Sequence, residues 1–222
     1  GMEENYLICE DSLEGIFTGI YEAYALRREH ERIHIQVGEE ENLRLFAAYM
    51  EIQPDQGKAA KVAETINRRL GGEAYLDICR ALACEDGQKG EAVYKMVVCG
   101  LRMKDGREIM GNLANSYVHK VFELARFTRN EVHHWKEFLR FQELENGILF
   151  SRIGPKCNVL TFLAPHFADR LPLLDFIIYD EKRGIFAVHP KSKEWYLVTA
   201  RDFEEEKIAP YSEGELEYQE LF

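Results

Sequence analysis

The stretch FQELENGILFSRI, residues Phe141–Ile153, marks the point at which the chain changes from helices to strands. Two short apolar runs flank Asn146-Gly147, and this dipeptide favours the tight turn of a β-hairpin. We therefore predict an antiparallel hairpin here and a domain boundary near residue 140. Residues 2–140 would form an α-rich part and residues 141–222 a smaller module, although a length of 222 residues also fits one compact domain.

Downstream of this hairpin, the pattern predicts a small α+β module. Asn158 is expected to cap a helix that runs to about Arg170, and Asp175–Tyr179 and Ile185–His189 alternate as a second hairpin. Trp195–Thr199 adds another strand. The spacing of Ser212 and Glu215 is that of a capping box, so we expect a last helix up to Phe222, within an acidic C-terminal tail that includes Glu204–Glu206.

Upstream of the hairpin, apolar residues recur mainly at helical spacing. The opening is the exception, because it predicts a strand at Asn5–Glu10, a helix from Asp11 and a strand at Ile33–Val37, connected so that the strands can pair in parallel. Four helices are expected to follow, at Lys58–Leu70, Glu73–Cys84, Ala92–Lys104 and Leu113 to about Leu139. The predicted fold class is therefore α+β.

The charge of the chain is unevenly distributed, although its net value is −11. Residues 1–55 carry 4 basic and 13 acidic side chains, and residues 202–222 carry 1 and 8, whereas residues 56–201 carry 23 and 18. Phosphate contacts are local, so this layout does not exclude DNA, but it argues against non-specific wrapping of DNA. A solvated surface with uneven charge explains the same layout without any partner.

Several classes of protein are disfavoured by what the sequence lacks. No apolar stretch approaches the roughly 20 residues that a membrane span needs, and no secretory signal is visible. The five cysteines are odd in number and show no C-x-x-C spacing, which predicts reduced thiols in a cytoplasmic protein. No phosphate-binding glycine loop and no nucleophile elbow occurs, so we expect no cofactor.

One motif match is rejected. His30-Glu31-Arg32-Ile33-His34 satisfies H-E-x-x-H, the zinc-protease pattern, which requires both histidines on one face of a helix. Here the second histidine lies in the predicted strand Ile33–Val37, so we expect the two rings to point in unrelated directions. No metal site is therefore predicted.

A basic, aromatic-edged stretch at Asn115–Phe141 is the first candidate site. Its basic residues step by three or four and would line one side of a helix, an arrangement that suits a phosphate backbone or an exposed base. The alternative is an ordinary surface helix with buried aromatic residues. The candidates are Arg126, Arg129, His133, Lys136, Arg140 and Phe141.

The predicted helix from Asn158 contains the second candidate site. His166 and Arg170 lie one turn apart and would share a face, where both could hold an anion. Alternatively, Arg170 would pair with Asp169 or Asp175.

These stretches and the opening resemble a bacterial family of DNA-metabolism or DNA-repair proteins. Its members are typically encoded beside a radical-SAM protein, and some are fused to a uracil-DNA glycosylase domain. The resemblance covers most of the chain and is carried by the opening Tyr6–Tyr24 and by Arg129–His133, Phe138–Phe141, Asn158–Leu160, Ala164–Arg170 and Asp180–Gly184.

The resemblance implies an accessory role beside a repair enzyme, with DNA, a radical-SAM protein or a uracil-DNA glycosylase as partners. The glycosylase signatures are absent here, so that activity is not transferred. Similar proteins continue past the point that matches Glu217–Phe222 into a segment rich in Arg, Asn and Gln, which predicts a shortened version here. Two rival hypotheses stay open: an enzyme of unrecognised type that uses His133 and His166, and a protein-interaction adaptor without DNA contact.

Overall fold

The computed structural model describes residues 3–38 and 44–202. By their contacts, residues of the chain divide into two compact units, Gly1–Thr128 (unit 1) and Arg129–Phe222 (unit 2). The sequence placed a boundary near residue 140, whereas this division lies within a helix, between Thr128 and Arg129. The predicted loop at Glu39–Glu41, the acidic run Glu204–Glu206 and the predicted helix from Ser212 to Phe222 lie outside the described residues.

Unit 1 contains a three-stranded parallel sheet with its first strand in the centre. β1 (Glu4–Cys9) pairs with β2 (Ile33–Val37) on one side and with β3 (Ala47–Ile52) on the other. The predicted strand–helix–strand opening with parallel pairing is thus confirmed. The strand β3 was not among the predicted elements.

Helix α1 (Leu13–Ala25) connects β1 to β2 and packs against the sheet. Its N-cap is Ser12, whose hydroxyl accepts a hydrogen bond from the backbone N–H of Gly15 at 2.9 Å. The predicted start at Asp11 is therefore one residue early. Asp11 instead pairs through its carboxylate with the buried ammonium of Lys89, at 2.7 Å.

The remaining helices of unit 1 begin and end where the sequence provides caps and breakers. Asp55 caps α2 by accepting from the N–H of Lys58, and Gly71, with a φ of 97°, separates α2 from α3. The helices are α2 (Gln56–Arg69), α3 (Gly72–Leu82), α4 (Lys89–Arg102) and α5 (Ser116–Phe138), the last of which continues into unit 2, with short 3₁₀ helices at His30–Arg32 and Gly106–Gly111.

Unit 2 is a five-stranded mixed sheet with one helix between its second and third strands. The strand order follows the sequence: β4 (Gln142–Glu143), β5 (Leu149–Ile153), β6 (Phe176–Asp180), β7 (Ile185–His189) and β8 (Tyr196–Thr199). Both predicted hairpins are confirmed as antiparallel pairs, and Gly147 has the positive φ of 88° that its turn requires. Helix α6 (Leu160–Arg170) makes the crossover that allows β5 and β6 to run in parallel.

The arrangement of helices and sheets in the two units confirms the predicted α+β class. Within the described residues, no helix is both long enough and apolar enough to cross a membrane. All five cysteines are free thiols, and Cys9, Cys84 and Cys157 are buried. Burial raises the pKa of the Cys9 thiol to about 12, so this side chain serves as a small apolar core residue.

Candidate functional site

The motif segments of unit 2 are joined by hydrogen bonds around the loop that precedes α6. The carboxylate of Glu131, on α5, accepts the backbone N–H groups of Lys156 and Cys157 at 2.8 and 2.7 Å. The guanidinium of Arg183 donates to the carbonyls of Pro155 and Lys156 at 3.1 and 2.6 Å. The loop is therefore held from two sides, which determines where α6 begins.

Arg183 is itself positioned by Asp180 at the end of β6. The Asp180 carboxylate is fully buried, accepts the backbone N–H groups of Lys182 and Arg183, and pairs with the Arg183 guanidinium at 2.9 Å. Gly184 completes this turn with a φ of 67°. The segment Asp180–Gly184 thus has a structural role, a turn that supports α6.

Three of the predicted site residues form one cluster, His166 on α6 with the positively charged Lys136 on α5 and Arg170 on α6. The pKa of His166 is lowered, first by partial burial and then by the positive charges of Arg170 and Lys136, while Asp169 acts in the opposite direction. Lys136 and Arg170 are exposed, and neither forms an ion pair within residues 3–38 and 44–202. The predicted pairing of Arg170 with Asp169 or Asp175 does not occur there. The cluster therefore presents positive charge that no acid of the described chain neutralises by a salt bridge.

The other predicted basic residues are exposed, and all of them except Arg140 lie on α5. Arg126 belongs to unit 1, whereas Arg129 and His133 lie on the α5 segment of unit 2. Arg140 lies beyond Phe138, where α5 ends, so it does not continue the helical stripe that the spacing predicted. The hypothesis of an acid–base pair finds no geometric support either, because no contact in the described part of the chain links His133 to His166.

Phe141 differs most from its predicted role as a stacking surface. Its ring is half-buried and packs against Phe167 of α6, with ring centroids 5.4 Å apart, and against Phe176 of β6, at 5.6 Å. Phe141 therefore contributes to the core of unit 2. Nearby on α5, the ring of Phe138 is 55% exposed and contacts His134.

A polar cleft in unit 1 is a feature that the sequence analysis did not anticipate. His30, His34, Lys95 and Arg102 line a cavity of about 470 Å³. Both histidines line this cleft, although His30 lies in a helical turn and His34 lies in β2, so no single helix carries them. The H-E-x-x-H match at His30–His34, which was rejected as a zinc site, was the sequence signal that could have pointed to this cleft. No group of three potential metal ligands occurs among the described residues.

The two histidines of the cleft have opposite electrostatic environments. His34 lies between Glu91, at 2.6 Å, and Glu4, at 3.0 Å, and the hydrogen bond that it donates to the Glu91 carboxylate is the main cause of its raised pKa. Burial and the nearby Arg102 lower the pKa of His30. The carboxylates of Glu91 and Glu4 thus favour the charged form of His34, which is the arrangement of a structural ion pair.

Comparisons with known proteins assign a family but no activity. Residues 87–222 match the family model described as a domain of unknown function, DUF4130. No curated protein sequence matches the chain.

Two solved structures are similar over 84% of this chain, each at 10% sequence identity. One is described as a DHH domain from a member of a family of ribosomal proteins, with a TM-score of 0.36 and 73% of its own chain covered. The other is an uncharacterised protein from Helicobacter pylori G27, with a TM-score of 0.23 and 85% covered. At these scores neither similarity supports an argument about fold or function.

Proposed function

The chain belongs to the family of the domain of unknown function DUF4130, and for this member we propose a role as a nucleic-acid-associated accessory protein of DNA metabolism. The observation that carries the proposal is the cluster of Lys136, His166 and Arg170 in unit 2. The pKa of His166 is lowered first by partial burial and then by the positive charges of Arg170 and Lys136, which disfavour a further positive charge beside them. A bound polyanion would neutralise these two charges, which favours a phosphate backbone as the ligand.

The support around the cluster is consistent with binding. Glu131 and Arg183 fix the loop before α6 through four hydrogen bonds to its backbone. His166 and Arg170 are thus carried on a positioned helix, which lowers the entropy that binding would cost. The acidic residues of 1–55 and 202–222 would keep non-specific binding weak.

The proposed partners follow from the sequence resemblance. The similar bacterial DNA-repair proteins are encoded beside a radical-SAM protein or fused to a uracil-DNA glycosylase domain. We propose that this chain holds DNA for such an enzyme and performs no base excision itself.

The salt dependence of binding to single-stranded DNA tests this function. The slope of log affinity against log salt falls by about 0.7 for each phosphate that a variant can no longer neutralise. The double variant Lys136→Ala with Arg170→Ala should therefore have a slope smaller by about 1.4 and should bind more weakly at low salt. The matched control is Lys182→Ala with Lys191→Ala, which removes two lysines of the same unit from outside the cluster. Equal slopes in the two double variants, or no binding by the parent protein at low salt, would refute the proposal.

A further inference from the structure

A cavity of unit 2 lies between the second half of α6 and the loop that connects β7 to β8. Its volume is about 700 Å³, and its lining includes Asp169, His189, Ser192 and Trp195. The positive cluster described above makes no use of this cavity. Of these four residues, His189 is the buried polar one.

His189 is held in one orientation, with a proton on Nδ1. The side chain is 2% exposed, and its ring stacks on Phe176 with centroids 4.6 Å apart and planes 18° from parallel. Its Nδ1 lies 2.9 Å from the carbonyl oxygen of Leu174. Because a carbonyl oxygen only accepts hydrogen bonds, Nδ1 must carry the proton, and Nε2 of the neutral ring is then an acceptor.

The acceptor Nε2 has no hydrogen-bond partner within the described part of the chain, yet it is not sealed from solvent. Since the ring is stacked on one side and bonded at Nδ1, its remaining polar edge is the part that reaches the cavity. A buried histidine whose Nε2 has no hydrogen-bond partner can accept a hydrogen bond from a ligand in the cavity.

The opposite wall of the cavity is built by a loop in a costly conformation. Ser192 has a φ of 61°, which is unusual for a residue other than glycine. The loop is kept there by the N–H of Ser192, which donates to Pro172, and by the N–H of Lys191, which donates to the carboxylate of Asp175. Trp195 follows in the same loop and offers a half-buried aromatic ring to the cavity.

We infer that this cavity accepts one unstacked nucleobase of a single-stranded DNA segment, an inference that rests on the proposed function. A nucleobase is planar, as stacking on Trp195 requires, and its N–H groups can donate to Nε2 of His189 and to Asp169. Successive residues of a helix are about 100° apart. His166 and Arg170 therefore border the side of α6 that lines the cavity, where the backbone phosphates of the same strand would lie.

A fluorescent base tests the inference. The parent protein is titrated into a short single-stranded oligonucleotide with 2-aminopurine at one central position, and stacking on Trp195 should quench the fluorescence of this base. Removal of the base in a matched abasic oligonucleotide should weaken binding by about 5- to 150-fold, the range for one stacked base.

Two variants test whether the quenching arises from a base bound in this cavity. Trp195→Ala removes the stacking surface, and His189→Asn removes Nε2 but keeps a donor for the carbonyl of Leu174. Both should abolish quenching and make the two oligonucleotides bind equally, while the salt dependence that Lys136 and Arg170 provide remains. The control Leu197→Ala, at an exposed position of β8, should leave quenching unchanged.

The outcomes separate the two proposals. DNA that binds with the expected salt dependence, but without quenching and without preference for the intact base, overturns the base pocket and leaves the proposed function standing. Absence of any binding at low salt overturns both. Quenching that survives in both Trp195→Ala and His189→Asn places the base elsewhere and also overturns this inference.

Discussion

Replacement of Glu131 by alanine should destabilise unit 2 specifically. The carboxylate accepts two backbone N–H groups, at 2.8 and 2.7 Å, from the loop that precedes α6. A hydrogen bond to a charged group contributes about 1.5–3 kcal/mol, and the exposure of Lys156 favours the lower end of this range. We therefore expect a decrease of about 3 kcal/mol in the free energy of unfolding for the two bonds.

Urea denaturation followed by tryptophan fluorescence reports the unfolding of unit 2 and therefore measures this decrease. The chain contains two tryptophans, Trp135 and Trp195, and both belong to unit 2. With a slope of about 1.5 kcal/mol per M, the midpoint of unfolding should fall by about 2 M urea. Glu131→Gln keeps one acceptor oxygen without the charge, so its midpoint should lie between those of the parent and the alanine variant.

Glu137→Ala is the matched control, because Glu137 is an exposed residue of α5 with no ion pair in the described part of the chain. Its unfolding free energy should stay within about 0.5 kcal/mol of that of the parent protein. If Glu131→Ala unfolds at the same urea concentration as Glu137→Ala, the two hydrogen bonds do not hold the loop, and the reasoning about α6 is wrong.

Two further predictions concern unit 1. The raised pKa of His34, caused mainly by Glu91, means that its stabilising contribution is complete below the unfolded value of 6.5 and is lost as pH rises through the folded value. The difference in unfolding free energy between the parent and His34→Gln should therefore shrink above pH 6.5, and a constant difference from pH 5 to 8 would contradict this. Separately, Gly19→Ala would force a methyl group onto the sulfur of Cys9 and should cost about 1–3 kcal/mol in thermal denaturation, whereas Gly111→Ala, which has open space, serves as its control.

Local patterns were sufficient to predict most elements of the fold. The turn at Asn146-Gly147 and the alternation in Ile33–Val37 each specify a structure through neighbours a few residues apart, and both predictions are confirmed. The strand β3 was missed, because its sequence Ala47–Ile52 has no clear alternation of apolar and polar residues.

The candidate site was only partly accessible from helical spacing. The predicted stripe contained Lys136, which the structure brings close to His166 and Arg170, but spacing alone did not reveal that Arg140 lies beyond the helix or that Phe141 faces the core. Spacing describes one helix at a time. Which helices approach one another depends on packing.

The sequence by itself determined the α+β class, the turns and the uneven charge, because each depends on short-range chemistry along the chain. Only the tertiary structure decided that Nε2 of His189 opens into a cavity and that Glu131 and Arg183 support the same loop. These features depend on hydrogen bonds between residues 15 or more positions apart. Such bonds form only when the packing of the core brings their donors and acceptors together, and no local pattern encodes that distance.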